Sequence, residues 1–288
     1  MKKKHYSILL LIFMLLVARY FAPELLQTAG PKDTEGKLVV SYIDVGQGDS
    51  TLIEFPGGKT MLIDAGEADE VAGVLSYIKG RGHKKLDYVL CTHPHSDHIG
   101  GMTQVLKSFD VGQVYMPQVV HTSKNYERLL LLIREKGLPV TAAKAGLSFS
   151  PEDGVDIRFV APCGDAYEEL NDYSVALRLT YGDNAFLFTG DAEELSEKEM
   201  LNGGYELSAD VLKVGHHGSN SSSHQAFLDA VSPGCAIISC GEDNSYGHPH
   251  KEVVERLENM SASLYQTNVC GTVSAISDGT DISIRTEE

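Results

Sequence analysis

From Lys37 onward the chain reads as short apolar runs separated by glycine-marked turns. "KLVVSYIDV", "STLIEF" and "TMLIDAG" are apolar or alternating and too short for helices, with "GQGD" and "PGGK" between them, which predicts three strands in a meander. Apolar positions at helical spacing follow over 69–80, and the compact run "DYVLCT" predicts another strand. A helix from Ile99, a strand at "GQVYMP" and a helix around "YERLLLLIREKG" continue the alternation. "GVDIRFVAP" and "SVALRLTYGDNAFLFTGD" return to the strand pattern, the second as a hairpin turning at "YGDN". A helix over 193–202 precedes "ADVLKVGHHGS". "HQAFLDAV", "CAIISCG", "KEVVERLENM" and "SLYQT" then alternate helix and strand before a hairpin turning at "SDGT". Meandering strands followed by strand–helix alternation predict an α/β fold of two sheets with helices outside. Nothing in the pattern divides 37–288, so it is read as one domain.

The N-terminus follows another pattern. Lys2, Lys3 and Lys4 precede "SILLLIFMLLVA", an uncharged run ended by Arg19, which is the layout of a secretory leader. Tyr20 lies two residues before Ala22 and fits a cleavage site poorly, so residues 1–22 read as a signal peptide or, by preference, an uncleaved membrane anchor. Residues 23–36 read as a polar linker. The domain is therefore expected outside the cytoplasm, secreted or held to the membrane by this segment. With 24 Lys+Arg against 40 Asp+Glu, the formal charge is −16. Such a surface repels polyanions and argues against passive coating of nucleic acid, but not against a nuclease whose cations supply positive charge locally. The five cysteines are dispersed, with no metal-ribbon spacing.

Candidate chemistry concentrates in "CTHPHSDHIGGM". His93, His95, Asp97 and His98 place four donors in six positions, in the loop at the end of a predicted strand, the edge where open α/β sheets bind ligands. In an extended segment His93 and His95 share a side and can hold one cation. Asp97 and His98, past the bend, can hold a second. Imidazole with carboxylate suits zinc, iron or manganese.

"THPHSDH" resembles the HxHxDH signature of the metallo-β-lactamase superfamily. "LIDAG", "FLFTGDAE" and "LKVGHHGS" match further superfamily motifs in order. "YIDVGQGDS", "NDYSVALRL", "LKVGHHGSNSSS" and "SYGHPH" narrow the resemblance to the ComEC-type hydrolase domain over about 38–285. The resemblance implies a four-layer αβ/βα sandwich binding two divalent metal ions, Zn or Mn, with a water between them activated as hydroxide. It implies His93, His95, Asp97, His98, Asp191 and one of His216 and His217 as ligands, Asp191 bridging. Asp64 would act beside the metals, with Asp97 and Asp64 in the catalytic set and His248 giving a proton or hydrogen bond to the leaving oxygen. Gln47, Asp49, Asn171, Asp172 and Ser219 are the candidates for substrate contact. One departure stands out: the histidine that many members carry between the HxHxDH segment and the bridging aspartate is absent, and Asn171 and Asp172 stand there.

The expected function is an exported phosphodiesterase or nuclease, with single-stranded DNA as one candidate substrate and competence or DNA uptake as its setting. The alternatives are an esterase for small diesters such as phosphorylcholine, a β-lactamase or other ester or amide hydrolase, and a non-enzymatic binding protein. No segment identifies a protein partner.

Overall fold

A computed structural model describes residues 34–287. The leader or anchor expected over 1–22 and most of the linker lie outside the described residues. Among the described residues no helix is long and apolar enough to cross a membrane.

Two sheets face each other. The first has eight strands in the order β15-β14-β1-β2-β3-β4-β5-β6, the second seven in the order β13-β12-β11-β10-β9-β8-β7. The expected meander is β1 (Leu38–Tyr42), β2 (Thr51–Glu54) and β3 (Thr60–Ile63), antiparallel throughout. From β3 the pairing turns parallel through β4 (Lys85–Leu90), β5 (Asp110–Met116) and β6 (Val140–Ala142). The second sheet repeats that change. β7 (Ser148–Glu152), β8 (Val155–Ala161), β9 (Ala176–Tyr181) and β10 (Asn184–Phe188) are antiparallel, and the hairpin turns at Gly182–Asp183. β11 (Val211–Lys213), β12 (Cys235–Ile238) and β13 (Ser263–Gln266) then add in parallel. β14 (Val273–Ser277) and β15 (Ile282–Thr286) return to the first sheet beside β1.

Three apolar layers make this a four-layer αβ/βα sandwich. Tyr42, Ile53, Phe159, Phe186 and Phe188 fill the space between the sheets. Helices α1 (Val71–Gly80), α3 (Met102–Ser108) and α4 (Lys124–Glu135) cover the first sheet through Val74, Ile78, Val105, Leu106 and Leu129. Helices α5 (Glu194–Asn202), α6 (Gln225–Val231) and α7 (Lys251–Asn259) cover the second through Met200, Phe227, Leu228, Val253 and Leu257. Both faces of each sheet are thus dry, which is why the central strands read as continuous apolar runs.

Two expectations need correction. The helix expected from Ile99 starts earlier and is broken: α2 (Ser96–Ile99) ends at Gly100, and α3 begins after Gly101. β6, β7 and a short helix α8 (Thr267–Cys270) have no counterpart in the expected elements; β6 and β7 are largely exposed at sheet edges and carry little apolar signal.

Candidate metal centre

The loops following β1, β3, β4, β10, β11 and β12 meet at one rim of the sandwich. They interlock through backbone hydrogen bonds: Ala65 N–H donates to His98 O (2.8 Å), Asp49 N–H to Asp97 O (3.1 Å) and His216 N–H to Gly190 O (3.1 Å). Val175 N–H to Thr92 O (3.0 Å) ties the second sheet to the first. Gly101 permits this close approach, because a Cβ there would stand 2.3 Å from Ala65 O.

Asp191 is the centre of the arrangement. Its Oδ2 lies 3.2 Å from His98 Nε2, 3.5 Å from His217 Nε2, 3.7 Å from His93 Nε2 and 3.8 Å from His216 Nε2. Two groups of donor atoms share it: His93 and His95 on one side, Asp97, His98 and His217 on the other, the atoms of each group within 4.8 Å of one another. His93 Nε2 is 3.0 Å from His95 Nδ1, and His217 Nε2 is 3.2 Å from Asp97 Oδ2.

Each inner imidazole is aimed by a group behind it. Asp64, fully buried, accepts from His98 Nδ1 (2.8 Å), from Thr92 N–H (2.8 Å) and from Thr92 Oγ1 (2.6 Å), which turns His98 Nε2 toward Asp191. Ser239 O accepts from His217 Nδ1 (3.0 Å), with Asp49 Oδ1 at 3.3 Å. Glu193 accepts from His216 Nδ1 (3.0 Å). A ring nitrogen tied to a carboxylate or carbonyl fixes the tautomer, leaving the other nitrogen unprotonated as a ligand. His216 (φ +47°) and His217 (φ +53°) both sit in the left-handed region, as does Asp64 (φ +56°). Strained backbone of this kind persists where the surroundings dictate a side-chain direction.

The donor chemistry fits cations. His98 Nε2, His217 Nε2 and Asp191 Oδ1 are buried without hydrogen-bond partners, in residues that share one group of converging donors. Asp49, Asp64, Asp97 and Asp191 gather here against one lysine, Lys213, whose Nζ meets Asp49 Oδ2 at 2.8 Å. Burial disfavours charge on His98, but Asp191, Asp97 and Asp64 outweigh it and hold that imidazole well above its usual range; Asp191 and Asp49 do the same to His217. Burial raises the Asp191 carboxyl, and His98 and His217 more than reverse it. Among the protein's own groups, the positive charge that these carboxylates call for falls on the two imidazoles. A divalent cation answers it better.

A cleft of about 230 Å³ opens over the donors. Of the sequence-derived substrate candidates, Gln47 and Asn171 reach its wall. Asp49, Asp172 and Ser219 do not: Asp49 is buried against Lys213 and His217, Asp172 is buried beside α5, and Ser219 Oγ is 3.0 Å from Ser221 Oγ in its own turn. Asp64 also lies off the cleft and acts through His98. His248 is on the wall; burial, then His217, His216 and His250, push it down to about 4, so at neutral pH it offers an N–H for hydrogen bonding rather than a mobile proton. His250 accepts from Asn220 N–H (2.9 Å) at the start of α7. Lys213, Glu193 and Tyr246 were missed by sequence reasoning. Only Lys213 carried a signal, a lysine inside a buried strand.

The pattern that defines the metallo-beta-lactamase superfamily matches residues 43–242. ComE operon protein 3 of Bacillus subtilis is 31% identical over 251 residues, covering 81% of this chain and 32% of that protein. Competence protein ComA of Neisseria gonorrhoeae is 31% identical over 241 residues, covering 83% and 32%. The chain thus spans about a third of the length of these relatives. In fold it is similar to the metallo-beta-lactamase fold protein YhfI of Bacillus subtilis, with a TM-score of 0.53, 15% identity and coverage of 80% and 96%.

Proposed function

This chain belongs to the metallo-beta-lactamase superfamily, and from that premise we propose that it is a metal-dependent phosphodiesterase. The observation that carries the reading is the position of Asp191, one carboxylate oxygen within 4 Å of four imidazole nitrogens and shared by two donor groups. Two divalent cations there would supply Lewis acidity toward a phosphoryl oxygen and make a water acidic enough to attack near neutral pH. The chain's own residues do the rest. Asp64, Ser239 and Asp49 keep His98 and His217 in ligand tautomers. His248 lies on the cleft wall, where its N–H would stabilise charge on a leaving oxygen, and Gln47 and Asn171 border the space the diester would take. The ComEC-type motifs of the sequence, together with the competence that one relative's name prints, favour a nucleic-acid strand as substrate; the N-terminal Lys2–Arg19 pattern supports export, and with it action outside the cytoplasmic membrane.

The charge of −16 and the size of the cleft favour a second reading, a small phosphodiester. The full chain, loaded with Mn²⁺ or Zn²⁺, should be offered single-stranded DNA, bis-p-nitrophenyl phosphate, p-nitrophenyl phosphorylcholine and nitrocefin. Cleavage of DNA and the simple diester, falling at least about 10³-fold in Asp97→Ala, is the expected result. Turnover of p-nitrophenyl phosphorylcholine without DNA cleavage selects the small diester. Turnover of nitrocefin alone overturns both readings.

A further inference from the structure

We propose that Asn171 completes the first cation position through its side-chain oxygen, in place of the absent histidine, and that Glu193 is the residue that aims it. The inference rests on the reading of the rim as a dinuclear metal centre.

The two donor groups are unequal. Asp97, His98, Asp191 and His217 offer four side chains to one position, whereas His93, His95 and Asp191 offer three to the other. Asn171 lies in the single turn Leu170–Tyr173 that leads into β9, and it borders the cleft beside His95 and Asp191. Its Nδ2 donates to Glu193 Oε1 at 3.1 Å. An ionised carboxylate only accepts, so this bond settles the amide orientation: nitrogen toward Glu193, oxygen away. That oxygen is buried and has no hydrogen-bond partner. An amide oxygen removed from water without a donor is costly, and a cation beside it removes the cost.

Glu193 is well held for this task, accepting also from His216 Nδ1 (3.0 Å) and Ser221 Oγ (3.0 Å). It stands to Asn171 as Asp64 stands to His98, a carboxylate behind the donor. Neighbouring Asp172 takes no part, being buried beside α5 and off the cleft wall. His216 Nε2 is 3.8 Å from Asp191 Oδ2 and 3.5 Å from Asn171 Nδ2, flanking the amide, and it stands outside the group formed by His93, His95 and Asp191. The two positions then differ in kind. Replacing an imidazole by an amide oxygen hardens the first position and moves its preference from zinc toward manganese.

The test is metal binding by the full chain, independent of any substrate. Metal-free protein is titrated with Mn²⁺ and with Zn²⁺, bound metal is counted by elemental analysis, and paramagnetic resonance reports the exchange-coupled Mn²⁺ pair. Wild type should hold two Mn²⁺ per chain with a coupled signal. Asn171→Ala should keep one and bind the second about 10- to 100-fold more weakly, losing the coupling, and Glu193→Gln should weaken it in the same direction. Asn171→His should restore two sites and shift the first toward Zn²⁺. Two Mn²⁺ bound to Asn171→Ala with unchanged affinity and coupling would overturn the proposal and leave Asn171 a substrate contact, as would an Asn171→His variant with unaltered preference. A wild-type chain that binds no metal would instead remove the reading beneath it.

Discussion

Asp64 never meets the cleft, yet its replacement should be felt there. As Asp64→Asn, the side chain can no longer accept from both Thr92 and His98, and the His98 tautomer is released. Metal affinity at the second position should fall about 10- to 100-fold with the fold retained, measured by competition with a chelating dye; unchanged affinity would remove Asp64 from this role. At this scale the sequence was readable where donors are neighbours. His93, His95, Asp97 and His98 announce themselves because four donor side chains in six positions have no other common use. The groups that aim them were not readable as such. Thr92, Glu193, Ser221 and Ser239 are ordinary residues whose partners arrive from other loops. Asp49 and Ser219, candidates for substrate contact, lie off the cleft wall, Asp49 against His217 and Lys213 and Ser219 within its own turn.

Elements show a different division. Hairpins with glycine or aspartate turns, such as Gly182–Asp183, and helices with a clean apolar face were legible from period and punctuation. Edge strands β6 and β7 were not, since exposure dilutes the apolar signal. The pair Gly100–Gly101 splits one expected helix and lets α3 begin against Ala65 and Val71. Gly101→Ala should therefore cost about 1–3 kcal/mol in urea unfolding, since its Cβ meets backbone as well as side chain. A loss under a few tenths would mean that this packing gives way freely. Another contact ties β2 to the end of α1: Glu54 meets Arg81 Nη2 at 2.6 Å and His83 Nε2 at 2.7 Å. Burial lifts the Glu54 carboxyl, but His83 and Arg81 more than reverse it, so it ionises below its usual range. A depressed carboxylate adds stability above its unfolded value of about 4.3 and loses it as pH falls through the folded value. Glu54→Gln should accordingly be less stable than wild type at neutral pH, with the gap closing below about pH 4.3. A gap independent of pH would mean that the ion pairs are not its source.

For the whole molecule, the arrangement of two sheets with outer helices was legible because buried strands and amphipathic helices obey different periods. How the sheets face each other was implied only by resemblance. Residues 1–33 lie outside the described structure, and export remains a proposal carried by their charge and hydropathy. The overall charge makes its own prediction. If a nucleic-acid strand is the substrate, raising the salt from about 0.01 M to 0.15 M shortens the screening length from about 30 to 8 Å and should speed cleavage by weakening repulsion. Hydrolysis of a small diester should barely change. A fall in DNA cleavage over the same range would point instead to a local cationic track.

Asp191 belongs to one sheet and most of its partners to the other, so the rim behaves as a clasp between two half-molecules. Neither half alone owns a working set of donors: His93 through His98 come with the first, Asp191 and His217 with the second. On the proposed reading, a nascent or partly opened chain would bring too few of these donors together to hold the cation pair.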